Sequence, residues 1–300
     1  MSRRTIPATL SLVALAVALA GCGAGGDGSG GAAPAAPAEP PAVAADEALA
    51  ALVPASVSAD GNLVFGTDAS YPPNEFTDTD GTTIIGMDVD LATAVAQKLG
   101  LTATFENSQF SGIIPGIQSA RYEAGISSFT INDERIETVD MISYFSAGTS
   151  LAVAAGNPEG LTPDTLCGRA IGVQSGTVQA EDVVARSEAC TAAGQQPIAI
   201  TELQAQTDVN LALTANRIVG MLADSPVAAY AVTTTEGAVE VVGEPYDTAP
   251  YGIAIGKDQG QFAQAVQGAV QALIDDGTYA GILEKWDVSN GAIPTAEVSS

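Results

Sequence analysis

The chain has 300 residues and is strongly acidic, with 10 Lys and Arg against 35 Asp and Glu and a formal charge of −25 at neutral pH. Nucleic acid and anionic lipid head groups are poor partners for such a charge. Histidine is absent, which excludes His-based catalytic triads, His-ligated zinc and general-base catalysis by imidazole.

The first 21 residues predict an export signal. Arg3 and Arg4 precede an apolar run from Leu10 to Ala20 that is too short for a permanent membrane-spanning helix. The next residues, Leu19-Ala20-Gly21-Cys22, resemble the lipobox of bacterial lipoproteins, which implies cleavage before Cys22 and acylation of its sulfur. The alternative is an ordinary signal peptide followed by a chance cysteine. Removal of residues 1–21 leaves 8 cationic and 35 acidic side chains, a charge of 8 − 35 = −27.

Residues 22–59 are expected to comprise the lipidated cysteine and a flexible tether. Between Gly23 and Ala45, 19 of 23 residues are Gly, Ala or Pro, a composition that cannot bury enough apolar surface to offset its ordering entropy. An acylated cysteine and this tether would hold a folded domain at the outer face of the cell membrane. The lipid would then be the protein's only contact with the membrane.

Cys167 and Cys190 remain as a pair if Cys22 is acylated. In an exported chain they predict a disulfide, because the compartment is oxidising. The bond would close a loop of about 23 residues and stabilise the fold by on the order of 3 kcal/mol. Two reduced buried thiols, or a catalytic thiol, are the alternatives.

After the tether, β-branched segments alternate with helical patterns, which predicts an α/β architecture with largely parallel sheets. The clearest helix is Asp88 to Leu99, where apolar residues recur every four positions and Gly100 provides the stop. A second apolar stripe runs from Phe262 to Ile274. The predicted strands are Leu63 to Thr67, Thr102 to Glu106, Gly125 to Thr130, Leu151 to Ala155, Ala170 to Gln174, Ile198 to Thr201, Gly220 to Asp224, Val239 to Val242 and Gly252 to Gly256.

Asp78-Thr79-Asp80-Gly81 has alternating carboxylates before a glycine, as in part of an EF-hand loop. With Gly81 as the loop glycine, Phe76 and Met87 would occupy the first and last ligand positions, which they cannot serve. The segment therefore predicts a polar hairpin turn and no metal site. No glycine-rich phosphate-binding pattern occurs, and no cofactor is predicted.

Arg135 is one of the few cations of the chain and ends the segment Ser127-Ser128-Phe129-Thr130-Ile131-Asn132-Asp133-Glu134-Arg135. A guanidinium in acidic surroundings provides a fixed fork for a carboxylate. The alternative is a surface arginine paired with Glu134 or Glu137, an arrangement that contributes little to stability.

Several segments together resemble a known family over almost the whole mature length: the type 2 extracytoplasmic solute-binding proteins of ABC importers, in the polar amino acid branch (bacterial solute-binding protein family 3). Each segment alone is a weak match, but they occur in the family's order and behind a lipobox. The matching segments are Gly66 to Pro73, Gly86 to Ala92, Phe110 to Pro115, Phe129 to Asp140, Val173 to Thr177, Ala223 to Pro226 and Asp275 to Tyr279.

The resemblance implies a two-lobed, periplasmic-binding-protein-like type 2 fold of the α/β class, with mixed sheets flanked by helices and two hinge crossings. The crossings are placed near Ala147 to Leu151 and near Tyr246 to Tyr251. Lobe 1 would comprise residues 60–148 plus 249–300, and lobe 2 residues 150–246. The ligand would bind between the lobes, outside the carboxyl ends of the strands.

The resemblance also implies a set of ligand-binding residues. Arg135 would clamp the α-carboxylate of an amino acid, and Asp224 would receive its α-ammonium from the other lobe. Structural alternatives exist for several positions, with Tyr71 and Phe110 as core aromatics and Asp224 and Thr177 as helix caps. The other implied ligand-binding residues are Asp68, Tyr71, Phe110, Ser128, Thr130, Gln174, Gly176 and Thr177.

Three residues depart from those in many relatives: Asn74, Gln174 and Ala223. They are expected at the end of the cleft that receives the ligand side chain, so they leave the identity of the substrate open. Asp68, if it faces the cleft, favours an amide or cationic side chain over an acidic one. The expected ligand is therefore a polar amino acid that is glutamine-like or basic.

The implied function is that of a monomeric amino-acid-binding lipoprotein that closes around its ligand and delivers it to an ABC permease and its ATPase, without catalysis. One alternative is an amino-acid sensor lipoprotein. Another is a dehydratase-like enzyme on the same fold, which would need an acid/base pair in the cleft. The candidates for that pair, Asp68, Tyr71 and Asp224, are already assigned to binding.

Overall fold

The computed structural model describes residues 43–300, and the predicted export signal, Cys22 and most of the predicted tether lie outside the described residues. The helices are α1 (Glu47–Ala50), α2 (Ala55–Ser58), α3 (Met87–Lys98), α4 (Phe110–Gln118), α5 (Asp133–Ile136), α6 (Val178–Ala192), α7 (Gln206–Thr214), α8 (Ser225–Thr234), α9 (Phe262–Asp275) and α10 (Thr278–Lys285), followed by a 3-10 helix at Ser289–Gly291. The strands are β1 (Asn62–Thr67), β2 (Ser70–Tyr71), β3 (Glu75–Thr77), β4 (Ile84–Ile85), β5 (Thr102–Asn107), β6 (Ala124–Gly125), β7 (Val139–Ala154), β8 (Ala170–Gln174), β9 (Ala199–Leu203), β10 (Gly220–Asp224), β11 (Val239–Gly256) and β12 (Val298–Ser299). Within residues 43–300, every helix is too short or too polar to cross a bilayer.

A mixed nine-stranded sheet has the order β5-β1-β6-β11-β7-β10-β8-β9, with β12 paired to β7. β1 pairs in parallel with β5 and β6, and β8 pairs in parallel with β9 and β10. The central strands β7 and β11 run antiparallel to each other and to their other neighbours. The predicted α/β class with mixed sheets flanked by helices is confirmed.

β7 and β11 are unusually long, with 16 and 18 residues. Nearly every residue of β7 is buried, as expected for a strand covered on both faces. The pairing of the two strands shifts register between Val242 and Tyr246 and again between Tyr246 and Ala249. Both of the predicted crossings lie in these strands, and their role as hinges stays a prediction.

Buried apolar residues form separate clusters on the two sides of these crossings. The largest cluster draws on residues 53–147 and 251–296. Two smaller clusters draw on residues 151–222 and 152–239. A hydrophobic cluster marks a unit of packing, so the separate clusters agree with two lobes. The exact lobe boundaries stay a prediction.

Both predicted helices are present within one residue of their expected ends. In α3 the apolar stripe is buried, with Leu91 and Val95 fully inaccessible. The helix ends before Gly100, which adopts a positive φ of 73° that favours glycine. In α9 the stripe from Phe262 to Val270 is likewise buried against the first cluster.

The strand predicted at Leu151 to Ala155 begins earlier, at Val139, and the strands predicted at Val239 to Val242 and Gly252 to Gly256 form the single strand β11. The predicted strand Gly125 to Thr130 is wrong for most of its length. The chain leaves the sheet after Gly125, and Ser128 adopts a positive φ of 53°. The segment bends because the Ser128 N–H donates to the buried Asp88 carboxylate at 2.8 Å instead of to a strand. Thr130 retains only an isolated bridge to Tyr251.

The last part of the predicted tether is not a flexible linker, since residues 46–58 contain α1 and α2. Val53 and Val57 are buried in the first cluster, and Leu49 packs against it. Leu49 approaches α9 so closely that a Cβ at Gly268 would lie 2.5 Å from its Cδ2. These apolar side chains, at helical spacing, order the part of the segment that follows the Gly, Ala and Pro run.

Asp78 to Gly81 forms the hairpin turn that the sequence predicts, because β3 and β4 pair on either side of it. The Asp80 carboxylate accepts hydrogen bonds from the backbone N–H groups of Thr82 and Thr83 at 2.7 and 2.8 Å. The turn therefore uses its carboxylates internally. Among the described residues, His, Cys, Asp and Glu nowhere form a cluster suited to a metal ion.

Cys167 and Cys190 form the predicted disulfide, with their Cα atoms 5.6 Å apart. The bond connects the loop before β8 to the last turn of α6, and Cys190 is buried in the second cluster. It closes a loop of 23 residues.

The double substitution Cys167→Ser with Cys190→Ser should lower the free energy of unfolding by about 3 kcal/mol, because the unfolded chain regains the entropy of the open loop. Urea unfolding followed by circular dichroism measures the change. Reduction of the wild-type protein should have the same effect, while Cys22→Ser serves as a control without effect on folding. Equal stability of the double variant and the wild type would contradict the prediction.

Candidate ligand-binding site

A small cavity lies at the carboxyl ends of the parallel strands, where ligands bind in many α/β folds. Asp68 follows β1, Ser127 follows β6, and Gln174 and Asp224 are the last residues of β8 and β10. The residues that line the cavity are Asp68, Tyr71, Glu75, Phe110, Ser127, Ser128, Thr130, Arg135, Gln174, Thr177, Val178, Gln179 and Asp224.

The structure brings nine of the ten predicted ligand-binding residues to this cavity. The exception is Gly176, which lines an adjacent surface groove together with Arg135 and Phe110. Gly176 has a positive φ of 77°, and a Cβ there would lie 3.0 Å from the Cβ of Ser111. Its glycine identity is therefore explained by the positive φ and by the close approach of the first turn of α4.

The Arg135 guanidinium is oriented by two backbone carbonyls. Its NH1 donates to the carbonyl of Thr130 at 2.7 Å, and its NH2 donates to the carbonyl of Gly176 at 3.2 Å. The guanidinium also lies over the rings of Phe110 and Phe129, with its carbon 5.3 and 5.5 Å from their centres. Two of its five N–H donors are thus used for positioning, and the others remain for a ligand.

Arg135 forms no ion pair within residues 43–300, whereas six other cationic side chains there do. The alternative of a surface pair with Glu134 or Glu137 is therefore wrong. Burial lowers the pKa of the Arg135 guanidinium, and the negative charges of Glu181, Asp224 and Glu134 oppose this effect. A guanidinium still keeps its charge, so the cavity contains an unpaired cation.

Asp224 occupies the N-cap position of α8 but does not cap the helix. Its carboxylate instead accepts hydrogen bonds from the hydroxyl of Tyr71 at 3.0 Å and from the side-chain amide of Gln179 at 2.8 Å. Burial raises the pKa of Asp224, and these hydrogen bonds and the charge of Arg135 oppose the rise. The carboxylate keeps acceptor capacity because an ionised carboxyl group accommodates about four donors.

Asp68 and Gln174 meet directly in the cavity. The Gln174 amide donates to the Asp68 carboxylate at 3.0 Å, and the backbone N–H of Phe110 donates to the same oxygen at 2.8 Å. Burial raises the pKa of Asp68, against the effect of these hydrogen bonds. The carboxylate is thus fixed in place by groups on both sides of the cavity.

Thr177 caps a helix, which is the structural alternative that the sequence left open for it. Its hydroxyl accepts from the backbone N–H of Ala180 at 3.2 Å and caps the first turn of α6. The same hydroxyl donates to the carbonyl of Gln174 at 2.7 Å. Phe110 is also partly a packing residue, since its ring stacks on Phe129 with centres 4.7 Å apart.

Sequence reasoning missed four of the lining residues, Glu75, Ser127, Val178 and Gln179. Glu75 is fully buried and accepts from the Ser127 hydroxyl at 2.9 Å. Glu75 lies in β3, which has three residues. Alternation over so few residues does not indicate which face of the strand is buried. Gln179 lies in the first turn of α6, where only the tertiary fold places it beside Asp224.

Two residues expected at the side-chain end of the cleft do not line the cavity. Asn74 is fully buried behind it and donates to the hydroxyl of Ser128 at 2.8 Å. Ala223 packs against Tyr71 and Val227. Of the three departures noted in the sequence, only Gln174 faces the ligand space.

Comparisons with known proteins agree with this geometry. The sequence model for bacterial extracellular solute-binding proteins, family 3, matches residues 63–289. The arginine-binding protein ArgT of Corynebacterium glutamicum is 36% identical over 250 residues, which cover 83% of this chain and 82% of that protein.

Solved structures of amino-acid-binding proteins are also similar to this chain. An ancestral arginine-binding protein bound to arginine has a TM-score of 0.70 at 33% identity and covers 75% of this chain and 98% of its own. An ancestral amino-acid-binding protein, described as a precursor of cyclohexadienyl dehydratase, has a TM-score of 0.70 at 29% identity and covers 77% and 97%. This chain belongs to the bacterial extracellular solute-binding proteins of family 3.

Proposed function

We propose that this protein binds a polar amino acid outside the cytoplasm, with arginine or another cationic amino acid as the preferred ligand, and delivers it to an ABC permease. The observation that carries the proposal is that an unpaired guanidinium, Arg135, and a carboxylate freed from helix capping, Asp224, line one small cavity. An α-carboxylate and an α-ammonium are the two charges that such a pair complements.

The remaining charges of the cavity support a cationic side chain. Besides Arg135 and Asp224, whose charges the zwitterionic end of a ligand would neutralise, Asp68 and Glu75 also line the space. A second positive charge on the ligand would be favourable beside these acids, and a third carboxylate would be repelled. The names of ArgT and of the ancestral arginine-binding protein point in the same direction.

The proposed mechanism is closure of the two predicted lobes around the ligand. Contacts already cross the predicted boundary, because Tyr71 reaches Asp224, Gln174 reaches Asp68 and the backbone N–H of Gln206 donates to the hydroxyl of Ser70 at 3.1 Å. A ligand held by Arg135 at one end and by Asp224 at the other would bind the closed form preferentially. Ligand binding would then shift the population toward the closed state.

We propose that the ligand leaves chemically unchanged, although one structural relative is a dehydratase precursor. Two candidate acid/base groups, Asp68 and Asp224, are each held by two hydrogen-bond donors from other side chains or the backbone, which suits binding better than proton transfer. Mass spectrometry after incubation with amino acids and with arogenate would detect a dehydrated or decarboxylated product if the protein were an enzyme.

Arg135→Met should weaken the binding of L-arginine by on the order of 3 to 5 kcal/mol, because the ligand carboxylate would be buried without its partner. Isothermal titration calorimetry with a panel of amino acids measures the loss. Arg121→Met is the matched control, since Arg121 pairs with Glu106 and its side chain is 59% exposed. Unchanged affinity in Arg135→Met would reject the assignment of this residue.

Trp286 should report closure, since it is the single tryptophan of the chain. The ring of Phe76 lies 5.8 Å from Trp286 and 6.1 Å from Tyr230, which belongs to the predicted second lobe. Arginine should therefore change the Trp286 emission, and Tyr230→Ala should reduce that change without removing a cavity residue. An emission spectrum that is constant at saturating arginine would contradict closure.

We also propose that Cys22 carries the membrane anchor. Cys22→Ser should move the protein from the membrane fraction to the medium or the soluble extracytoplasmic fraction, because the acyl chains are its expected attachment. Immunoblots of fractionated cells measure this change, and Cys167→Ser is the control that retains the anchor. Persistence of the Cys22→Ser protein on the membrane would exclude this form of anchoring.

A further inference from the structure

Two carboxyl groups, Glu75 and Asp88, lie side by side beneath the ligand cavity, and both residues have 0% exposure. Gly86, with a φ of 141°, brings them together by letting α3 begin against the chain at Asn74, where a Cβ would lie 2.1 Å from the Asn74 carbonyl oxygen. Within residues 43–300, neither carboxyl group forms an ion pair with a cationic side chain. The pair is thus buried without compensating charge.

The hydrogen bonds around the pair leave one acceptor without a donor. The Asp88 Oδ2 accepts from the N–H of Ser128 at 2.8 Å and from the hydroxyl of Tyr144 at 2.7 Å. The Asp88 Oδ1 is buried and has no partner among the described residues. Glu75 accepts from the Ser127 hydroxyl at 2.9 Å, and the Glu75 Oε2 and the Asp88 Oδ2 lie 3.3 and 3.4 Å from the hydroxyl oxygen of Ser128.

A proton on Glu75 completes this arrangement. Buried acceptors in folded proteins are almost always paired, and a protonated carboxyl group is the one available donor in the pair. Two adjacent carboxylates in a low dielectric cannot both ionise. Burial first, and then the negative charge of Asp88, raise the pKa of Glu75 well above its usual range, and burial raises the pKa of Asp88 to about 6.

Acidic groups lie around Glu75, and the neutral Ser127 hydroxyl is the donor that opposes their effect on its pKa. The titratable side chains that face it are Asp88 from α3, Asp68 after β1, Tyr71 from β2 and Tyr144 from β7. The carboxyl groups of Asp88 and Asp68 disfavour ionisation of Glu75, whereas the pKa of each tyrosine lies well above its usual value, so both are neutral near pH 7. Arg135 is the one cation among the residues that line the cavity with Glu75, so a further positive charge would have to come from a ligand.

We propose that Glu75 holds a proton in the empty site and releases it to solvent when the cationic side chain of a ligand enters, so that the site exchanges one proton for one ligand charge. Glu75 lines the cavity and would contact the ligand, while Asp88 is a positioning residue that acts through Glu75. A neutral side chain leaves the proton in place. This inference rests on the proposed function of binding amino acids.

The test is calorimetry with L-arginine and with L-citrulline, its uncharged analogue of nearly the same shape, at pH 7 in buffers of different ionisation enthalpy. The dependence of the measured enthalpy on the buffer gives the number of protons released. We expect about one proton more for arginine than for citrulline. Both ligands carry the same α-ammonium and α-carboxylate, so any proton linked to Asp224 or Arg135 cancels in the comparison.

Two variants test whether Glu75 carries the released proton. Glu75→Gln should abolish the difference in proton release and reduce the preference for arginine over citrulline by at least about 30-fold, since the ligand cation loses its buried partner. Asp88→Asn should lower the proton release at pH 7, because Glu75 then ionises more readily in the empty site. Glu106→Gln is the matched control on the surface and should change neither quantity.

A measurement without ligand tests the shared proton independently. Because the native pair binds a proton that the unfolded chain loses above pH 4.5, the wild type should lose stability relative to Glu75→Gln as the pH rises from 5 to 7. The ratio of their unfolding constants should change by up to about tenfold per pH unit. Parallel stability curves would overturn the shared proton.

The outcomes separate this inference from the proposed function. If no amino acid binds, the proposed function fails, and the ligand-free stability curves still decide whether the pair shares a proton. If arginine binds with the same proton release as citrulline, or if citrulline alone binds, the exchange of a proton for the ligand charge is refuted while amino acid binding stands.

Discussion

Arg135 is held by backbone carbonyls instead of by a carboxylate, and the rest of the site depends on this arrangement. The carbonyls of Thr130 and Gly176 fix the orientation of the guanidinium without neutralising its charge. A carboxylate partner would have satisfied the fork and left nothing for a ligand. The chain has 35 acidic side chains. The surrounding fold therefore has to keep the described carboxylates out of ion-pair distance of this guanidinium.

Asp224 has to stay free of a different partner, the backbone of the helix that it precedes. It lies where a helix cap is expected, and a capping bond would engage one of its oxygens with the backbone of α8. The structure instead supplies Tyr71 and Gln179 as donors, which orient the carboxylate toward the cavity. Arg135 and Asp224 are thus prepared in the same way: each keeps its charge, and each is aligned by neutral groups. Pre-alignment of this kind reduces the entropy lost when a ligand binds.

The buried carboxyl groups of Glu75 and Asp88 add to the negative charge of the site. A site that already contains Asp68 and Asp224 could not hold two further full negative charges without strong repulsion. A shared proton would lower that charge in the empty site, and a cationic ligand would replace it. The proposed proton exchange therefore links the acidity of the site to the choice of ligand, because the ligand cation replaces the proton and the net charge of the site stays the same.

The sequence by itself determined the α/β class, the helices α3 and α9, the hairpin at Asp78 to Gly81 and the disulfide, because each depends on local periodicity, turn chemistry or cysteine count. Its short, continuous motifs indicated the family and predicted Arg135 and Asp224 as binding residues, and the structure brings both to one cavity. Tertiary structure alone decided the bend after Gly125, the start of β7 at Val139, the helices within residues 46–58 and the position of Glu75 and Gln179 at the cavity. Those features depend on which face of a strand is buried and on partners distant in sequence, such as Asp88 for Ser128, and no local pattern records such pairings.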